Sequence, residues 1–151
     1  MEKQPNSRMC YVCGLENPIG LKLFFYAPDE GRCITRFQPS PEHQGYPGAL
    51  HGGIISTLLD ETMGRVLMSE NVFAFTGRLE IKFGKPVPLD QELTVIGELS
   101  RSRSRAYEAR GKIQLSDGTV LVEGEGMYIR VPDQVMEEVK EELGFWQEVP
   151  D

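Results

Sequence analysis

One stretch of this 151-residue chain has the periodicity of a long helix with β-patterned segments on both sides, and that feature limits the possible folds most. HGGIISTLLDETMGRVLMSE, residues 51–70, carries Ile54, Ile55, Leu58, Leu59, Met63, Val66 and Leu67 at the spacing of a helical face. The face is wide, which predicts a largely buried helix. Two β-patterned segments precede it, residues 21–27 (LKLFFYA) and 33–37 (CITRF). Four follow, at residues 78–83, 92–99, 106–115 and 119–131, with Asp117-Gly118 marking a tight hairpin between the last two. A single helix cannot cover both faces of a parallel sheet, which argues against a doubly wound fold. The class this order predicts is α+β, a curved antiparallel sheet wrapped around one long central helix. Residues 133–146 form a second helical pattern, with Val135, Met136, Val139, Leu143 and Trp146 as its apolar stripe and Asp133 as its expected N-cap. No linker divides the chain. Residues 1–20 read as an irregular lead-in, 21–132 as the domain, and 133–151 as a terminal helix and tail.

Charge narrows the function classes. A formal net charge of −7 argues against a nucleic-acid partner, whose affinity rests on neutralised phosphates. Any anionic ligand needs local basic residues to overcome that field. No apolar run is long enough to span a membrane, and MEKQPNSRMC resembles neither a signal nor a transit peptide, so the expectation is cytoplasmic. Cys10, Cys13 and Cys33 are odd in number, which suits a reducing compartment. Cys10-Tyr-Val-Cys13-Gly is half of a four-cysteine zinc site, to be completed only by a second chain, or else a pair of small buried thiols. The expectation is no metal.

On the central helix, Gly53, Ser56, Thr57, Asp60 and Gly64 fall three or four residues apart and share one side. Asp60 is the one ionisable group on that small, polar stripe. A carboxylate in such surroundings is paired, hydrated or used. Glu61 stands one turn before Arg65, and an i,i+4 ion pair accounts for it. Gly52-Gly53 opens the helix, where free amides and the macrodipole favour a developing oxyanion. His51 has three readings: it orients this loop, contacts a substrate carbonyl or acts as an acid, or it simply caps the helix.

HQGYPGALHGGIISTLLDETMG resembles the corresponding segment of hotdog thioesterases of the phenylacetate-degradation type. His51, Gly52, Gly53 and Asp60 meet the pattern of His-Gly-Gly, six residues, then Asp. CYVCGLENPIGLKL is similar to the lead-in of bacterial members. The resemblance implies a hotdog fold and hydrolysis of acyl-CoA, with the Gly52 amide polarising the thioester and Asp60 serving as general base or nucleophile. It implies a site shared between subunits, hence a homodimer at least, with a homotetramer common in the family. Thr76 is implied as the hydroxyl that holds the attacking water. Where some members carry an Asn this chain has Gly45, so Gln44 or His43 is the substitute.

Coenzyme A then enters as part of substrate and product, with no separate cofactor. Lys85 resembles the basic residue that faces its phosphates. Arg101, Arg103 and Arg105 would share one side if extended, as a phosphate patch or a solvated hairpin. Phe73, Phe75, Tyr46 and Met63 line the acyl pocket or belong to the core. Two further classes fit the fold: a hydroxyacyl-thioester dehydratase, which would pair a His with a helix carboxylate, and a non-catalytic acyl-CoA-binding protein.

Overall fold

The computed structural model describes residues 1–142 and 146–150. Its strands are β1 (Glu2–Lys3), β2 (Phe25–Ala27), β3 (Arg32–Phe37), β4 (Ala74–Phe83), β5 (Leu93–Ser102), β6 (Ala106–Leu115) and β7 (Val120–Arg130). Its helices are α1 (Gly52–Gly64) and α2 (Asp133–Glu142). All seven strands join one antiparallel sheet in the order β1-β2-β3-β5-β6-β7-β4. The sheet curls around α1, which buries Ile55, Leu58, Leu59, Thr62 and Met63. This is the hotdog architecture.

The helix lies close because a row of glycines runs beneath it. Gly97, Gly111 and Gly124 are successive cross-strand partners on β5, β6 and β7. A Cβ at Gly97 would stand 2.8 Å from the Thr62 carbonyl oxygen, and one at Gly111 would stand 2.9 Å from Met63 Cγ. On the opposite face, Lys112 lies across from Glu123 and Arg110 from Glu125. That alternation, bare inside and charged outside, is the period-two pattern of a sheet with one buried face.

Several boundaries differ from the sequence reading. The helix ends at Gly64, not near residue 70. Arg65 leaves the helical region (φ −97°, ψ 3°), and its side chain, 2% exposed, lies over the Phe25 ring. Its Nη1 donates to the Pro5 carbonyl. Val66 and Leu67 are still buried, so their spacing reported the core rather than the helix. Strand character in residues 21–27 begins only at Phe25, because Lys22 takes a left-handed conformation (φ 53°). Residues 1–20 are not wholly irregular: β1 pairs with β2, and Val12 and Cys13 are buried. Asp133 is the first residue inside α2 rather than its cap, since the Pro132 carbonyl accepts from the Met136 amide. Of the expected stripe only Met136 is buried in α2; Val135 and Val139 are exposed, and Leu143 lies outside the described residues. Trp146 instead meets Phe73 edge-on.

Gly97→Ala presses a methyl against backbone and is expected to cost about 1–3 kcal/mol, the usual range for overpacking. Gly111→Ala meets movable side chains and is expected to cost less. Urea unfolding of the two variants checks the order.

Candidate active site

Asp60 projects from α1 towards the start of β4 and the end of β7. Its Oδ1 accepts from Thr76 Oγ1 at 2.7 Å and from the Tyr128 hydroxyl at 3.1 Å. Both donors hold the same oxygen, which leaves Oδ2 for other work. The carboxyl is half-buried, and its pKa is raised above the usual aspartate value. Burial is the largest cause, and the Thr76 and Tyr128 hydrogen bonds pull the other way.

Thr76 reaches Asp60 because β4 carries a bulge. Thr76 pairs with Tyr128 and Arg78 with Met127, so Gly77 is the extra residue. Leu79 and Ile81 pack against the core from odd-numbered positions, whereas Ala74 does so from an even one. The bulge switches the parity and turns Thr76 inward with Ala74. Tyr128, which sequence reasoning missed, stacks on Tyr107 with ring centroids 5.5 Å apart. The Tyr107 hydroxyl donates to the Gly64 carbonyl, which fixes the pair to the helix. A tyrosine on the strand facing a helical carboxylate is a signal only once the register is known.

At the other end of α1, His51 is the N-cap, and its Nδ1 accepts from the Gly53 amide at 2.8 Å. In a neutral ring this puts the proton on Nε2, leaving a donor outside the helix. His51 therefore caps the helix, one of the readings its position allows. Gly53 has its amide engaged, while the Gly52 amide has no partner among the described residues. Ser56 and Thr57 turn their hydroxyls back to the Gly52 and Gly53 carbonyls, so they add no free donor to the stripe. Glu61 pairs with Arg65 at 2.9 Å, as its spacing predicts.

Helix start and carboxylate do not meet within one chain. Eight residues of α-helix separate Gly52 from Asp60, about 12 Å. His43 and Gln44 are tied into the preceding loop: His43 Nδ1 accepts from the Ser40 amide and Gln44 Oε1 from the Gly48 amide. Lys85 is exposed just beyond β4, whose Phe83 ring would touch a Cβ at Gly52 at 3.5 Å. Arg101, Arg103 and Arg105 are exposed, but not along one extended face. β5 ends at Ser102, and the Arg103 amide closes the turn onto the Ala106 carbonyl. Arg130 joins them, its Nη2 donating to Ser102 Oγ and its Nε to the Arg103 carbonyl. Met63 belongs to the core and Phe73 packs on Trp146, whereas Tyr46 and Phe75 are exposed.

An antiparallel sheet wrapped around one buried helix defines the hotdog fold class. The family model described as the Thioesterase superfamily matches residues 47–122, and the chain belongs to that family. Mouse (Mus musculus) acyl-coenzyme A thioesterase THEM4 is 31% identical over 132 residues, 86% of this chain and 57% of that protein. This chain thus spans somewhat more than half the length of that relative. The crystal structure of a thioesterase superfamily protein superposes with a TM-score of 0.75 at 29% identity, covering 81% of this chain and 63% of the other. The E. coli PaaI protein of the phenylacetic acid degradation operon superposes at TM-score 0.69 and 17% identity, over 74% of this chain and 81% of its own. A Streptococcus mutans protein solved with acetyl CoA does so at 0.67 and 19%, over 72% and 88%. The last two likenesses concern the fold.

Because the folded-state pKa of Asp60 is raised, the stability linked to its proton is full below the normal carboxylate range and is lost as pH rises through the folded value. At neutral pH the ionised group is a net cost. Asp60→Asn is therefore expected to unfold at a higher temperature than wild type at pH 7, with the gap closing in acid. Tyr128→Phe removes a donor that lowers the pKa and is expected to move the Asp60 titration further up, read by carbon NMR of labelled aspartate.

Proposed function

We propose that this chain hydrolyses acyl-CoA thioesters to free acid and CoA. The observation that carries the proposal is the Asp60 carboxylate, with one oxygen held by Thr76 and Tyr128 and the other open, in a chain of thioesterase family. The thioester carbonyl oxygen accepts from the Gly52 amide, at the positive end of the helix dipole. Asp60 takes a proton from a water held with Thr76, and that water attacks the carbonyl carbon. The C–S bond breaks, and CoA leaves as its thiol after taking up the proton. In the nucleophilic variant, Asp60 itself attacks and water then cleaves the mixed anhydride.

The two halves of the site come from different subunits. β4 lies at a sheet edge over ten residues, with Phe75 57% exposed near one end and Phe83 55% exposed at the other. A long, partly apolar edge calls for a covering partner. A two-fold axis through the middle of β4 pairs the strand antiparallel with a second copy. The Thr76 end of each chain then faces the Phe83 end of the other, which sits beside Gly52. The same operation brings Lys85 towards the other subunit's Arg101, Arg103, Arg105 and Arg130, a local positive field for the CoA phosphates. A homodimer is the minimal active unit, and the tetramer of the family is two such dimers. We place the activity in the cytoplasm, whose reducing conditions suit the free thiols of Cys10, Cys13 and Cys33; among the described residues no helix is long and apolar enough to cross a membrane.

Thiol release from a panel of acyl-CoAs tests the activity. Asp60→Asn is expected to lower kcat by about 10²–10⁴, the range for loss of a general base. Complementation tests the shared site. Gly52→Pro deletes the amide at a helix position that tolerates proline, and His51 already has the extended conformation (φ −62°, ψ 136°) required before it. Neither variant is active alone, but mixed dimers hold one intact site each, which restores about a quarter of wild-type activity on random pairing. Unaffected turnover in Asp60→Asn would sink the assignment.

A further inference from the structure

The N-terminal thiols meet the central helix on its other side. Cys10 Sγ, Cys13 Sγ and a Glu61 carboxylate oxygen all lie within 4.8 Å of one another. The half-site of the CxxC segment therefore finds a further ligand within its own chain. Glu61 is next to Asp60 in sequence, but one residue turns a helix by about 100°, so it faces the N-terminal loop instead of β4.

The loop that carries the sulfurs is a tight knuckle. The Gly14 amide donates to the Cys10 carbonyl at 2.8 Å, and the Val12 amide is aimed at Cys10 Sγ at 3.4 Å. A Cβ on Gly14 would stand 2.4 Å from both Cys10 N and Cys10 O, so only glycine allows the turn. Outer contacts hold the ligands in place. Ser7 Oγ lies 3.5 Å from Cys13 Sγ and accepts from the Cys10 amide at 3.3 Å. Asn6 Nδ2 donates to the Cys13 carbonyl at 2.8 Å. Arg65 Nε binds Glu61 Oε1, which leaves the second carboxylate oxygen for another partner. Such support of the groups behind the ligands is what metal sites require.

We propose that Cys10, Cys13 and Glu61 bind one zinc ion, with solvent at the fourth position. Ligand atoms around tetrahedral zinc stand about 3.5–3.8 Å apart given its bond lengths, so atoms within 4.8 Å of one another need to close by about 1.3 Å at most. Two thiolates and one carboxylate beside the Arg65 guanidinium carry a net charge of two minus, which a divalent ion neutralises. Thiolates select a soft ion over magnesium or calcium. Cys10 is part-exposed and the Glu61 side chain 26% exposed, which gives water its place. The ion would clip the N-terminal segment to α1 beside the catalytic carboxylate. This replaces the sequence expectation of no metal, and it is independent of the proposed hydrolysis.

The test uses the full chain, reduced and stripped with a chelator, then titrated with zinc against a chromophoric competitor. The expected result is one zinc per chain, with protons released as the thiols ionise. Cobalt in place of zinc is expected to give a thiolate charge-transfer band, weakened in Cys10→Ser or Cys13→Ser and absent when both are replaced. Glu61→Gln should keep the band and weaken zinc binding by roughly tenfold or more. Alkylation of the wild-type chain gives a second measure that does not depend on the stability of any variant: zinc, but not magnesium, should protect Cys10 and Cys13. Asp60→Asn should bind zinc as wild type does. Zinc uptake unchanged in the Cys10→Ser/Cys13→Ser double variant overturns the proposal. So does failure of stoichiometric zinc to slow alkylation, or to slow closure of a Cys10–Cys13 disulfide under an added oxidant.

Discussion

The depth at which α1 sits in the sheet sets the position of Asp60 against the strands. Gly97, Gly111 and Gly124 remove the side chains that would otherwise hold the helix away, so Thr62, Met63 and Leu59 rest almost on the strands. At that depth Asp60 comes within hydrogen-bond reach of groups on β4 and β7. Raised by the width of one methyl, the helix would carry the carboxylate away from Thr76 and Tyr128. Packing density here decides chemistry as well as stability.

Two opposed effects then tune the carboxylate. Burial disfavours its ionised form, whereas the hydroxyls of Thr76 and Tyr128 favour it by donating to one oxygen. The bulge at Gly77 makes this arrangement possible, because regular alternation would point Thr76 to the outer face. Both donors hold Oδ1, so Oδ2 stays clear of them.

Helix α1 also divides labour along its length. Its first turn offers the Gly52 amide, its middle offers Asp60, and its next residue faces away to the cysteine knuckle. The first two stand about 12 Å apart along the helix, so on the proposed reading one chain supplies only half of each site. The exposed β4 edge is where that proposal places the second copy.

The order of strands along the chain, the single buried helix, the Glu61–Arg65 pair and the separation of Asp60 from Glu61 on the helix surface were all legible in the sequence. Each rests on local spacing: a period of two or 3.6, or neighbours one turn apart. What only the tertiary structure decided depends on contacts between distant segments. The early end of α1 is set by Arg65 reaching Pro5 and Phe25, although the apolar period runs on through Leu67. The partnership of Asp60 with Tyr128 needs the β4–β7 register, and Thr76 needs a parity switch that alternation alone cannot reveal. The meeting of Glu61 with Cys10 and Cys13 joins parts of the chain some fifty residues apart. Periodicity fixes which face of a segment is buried; it carries no information on which other segment that face will touch.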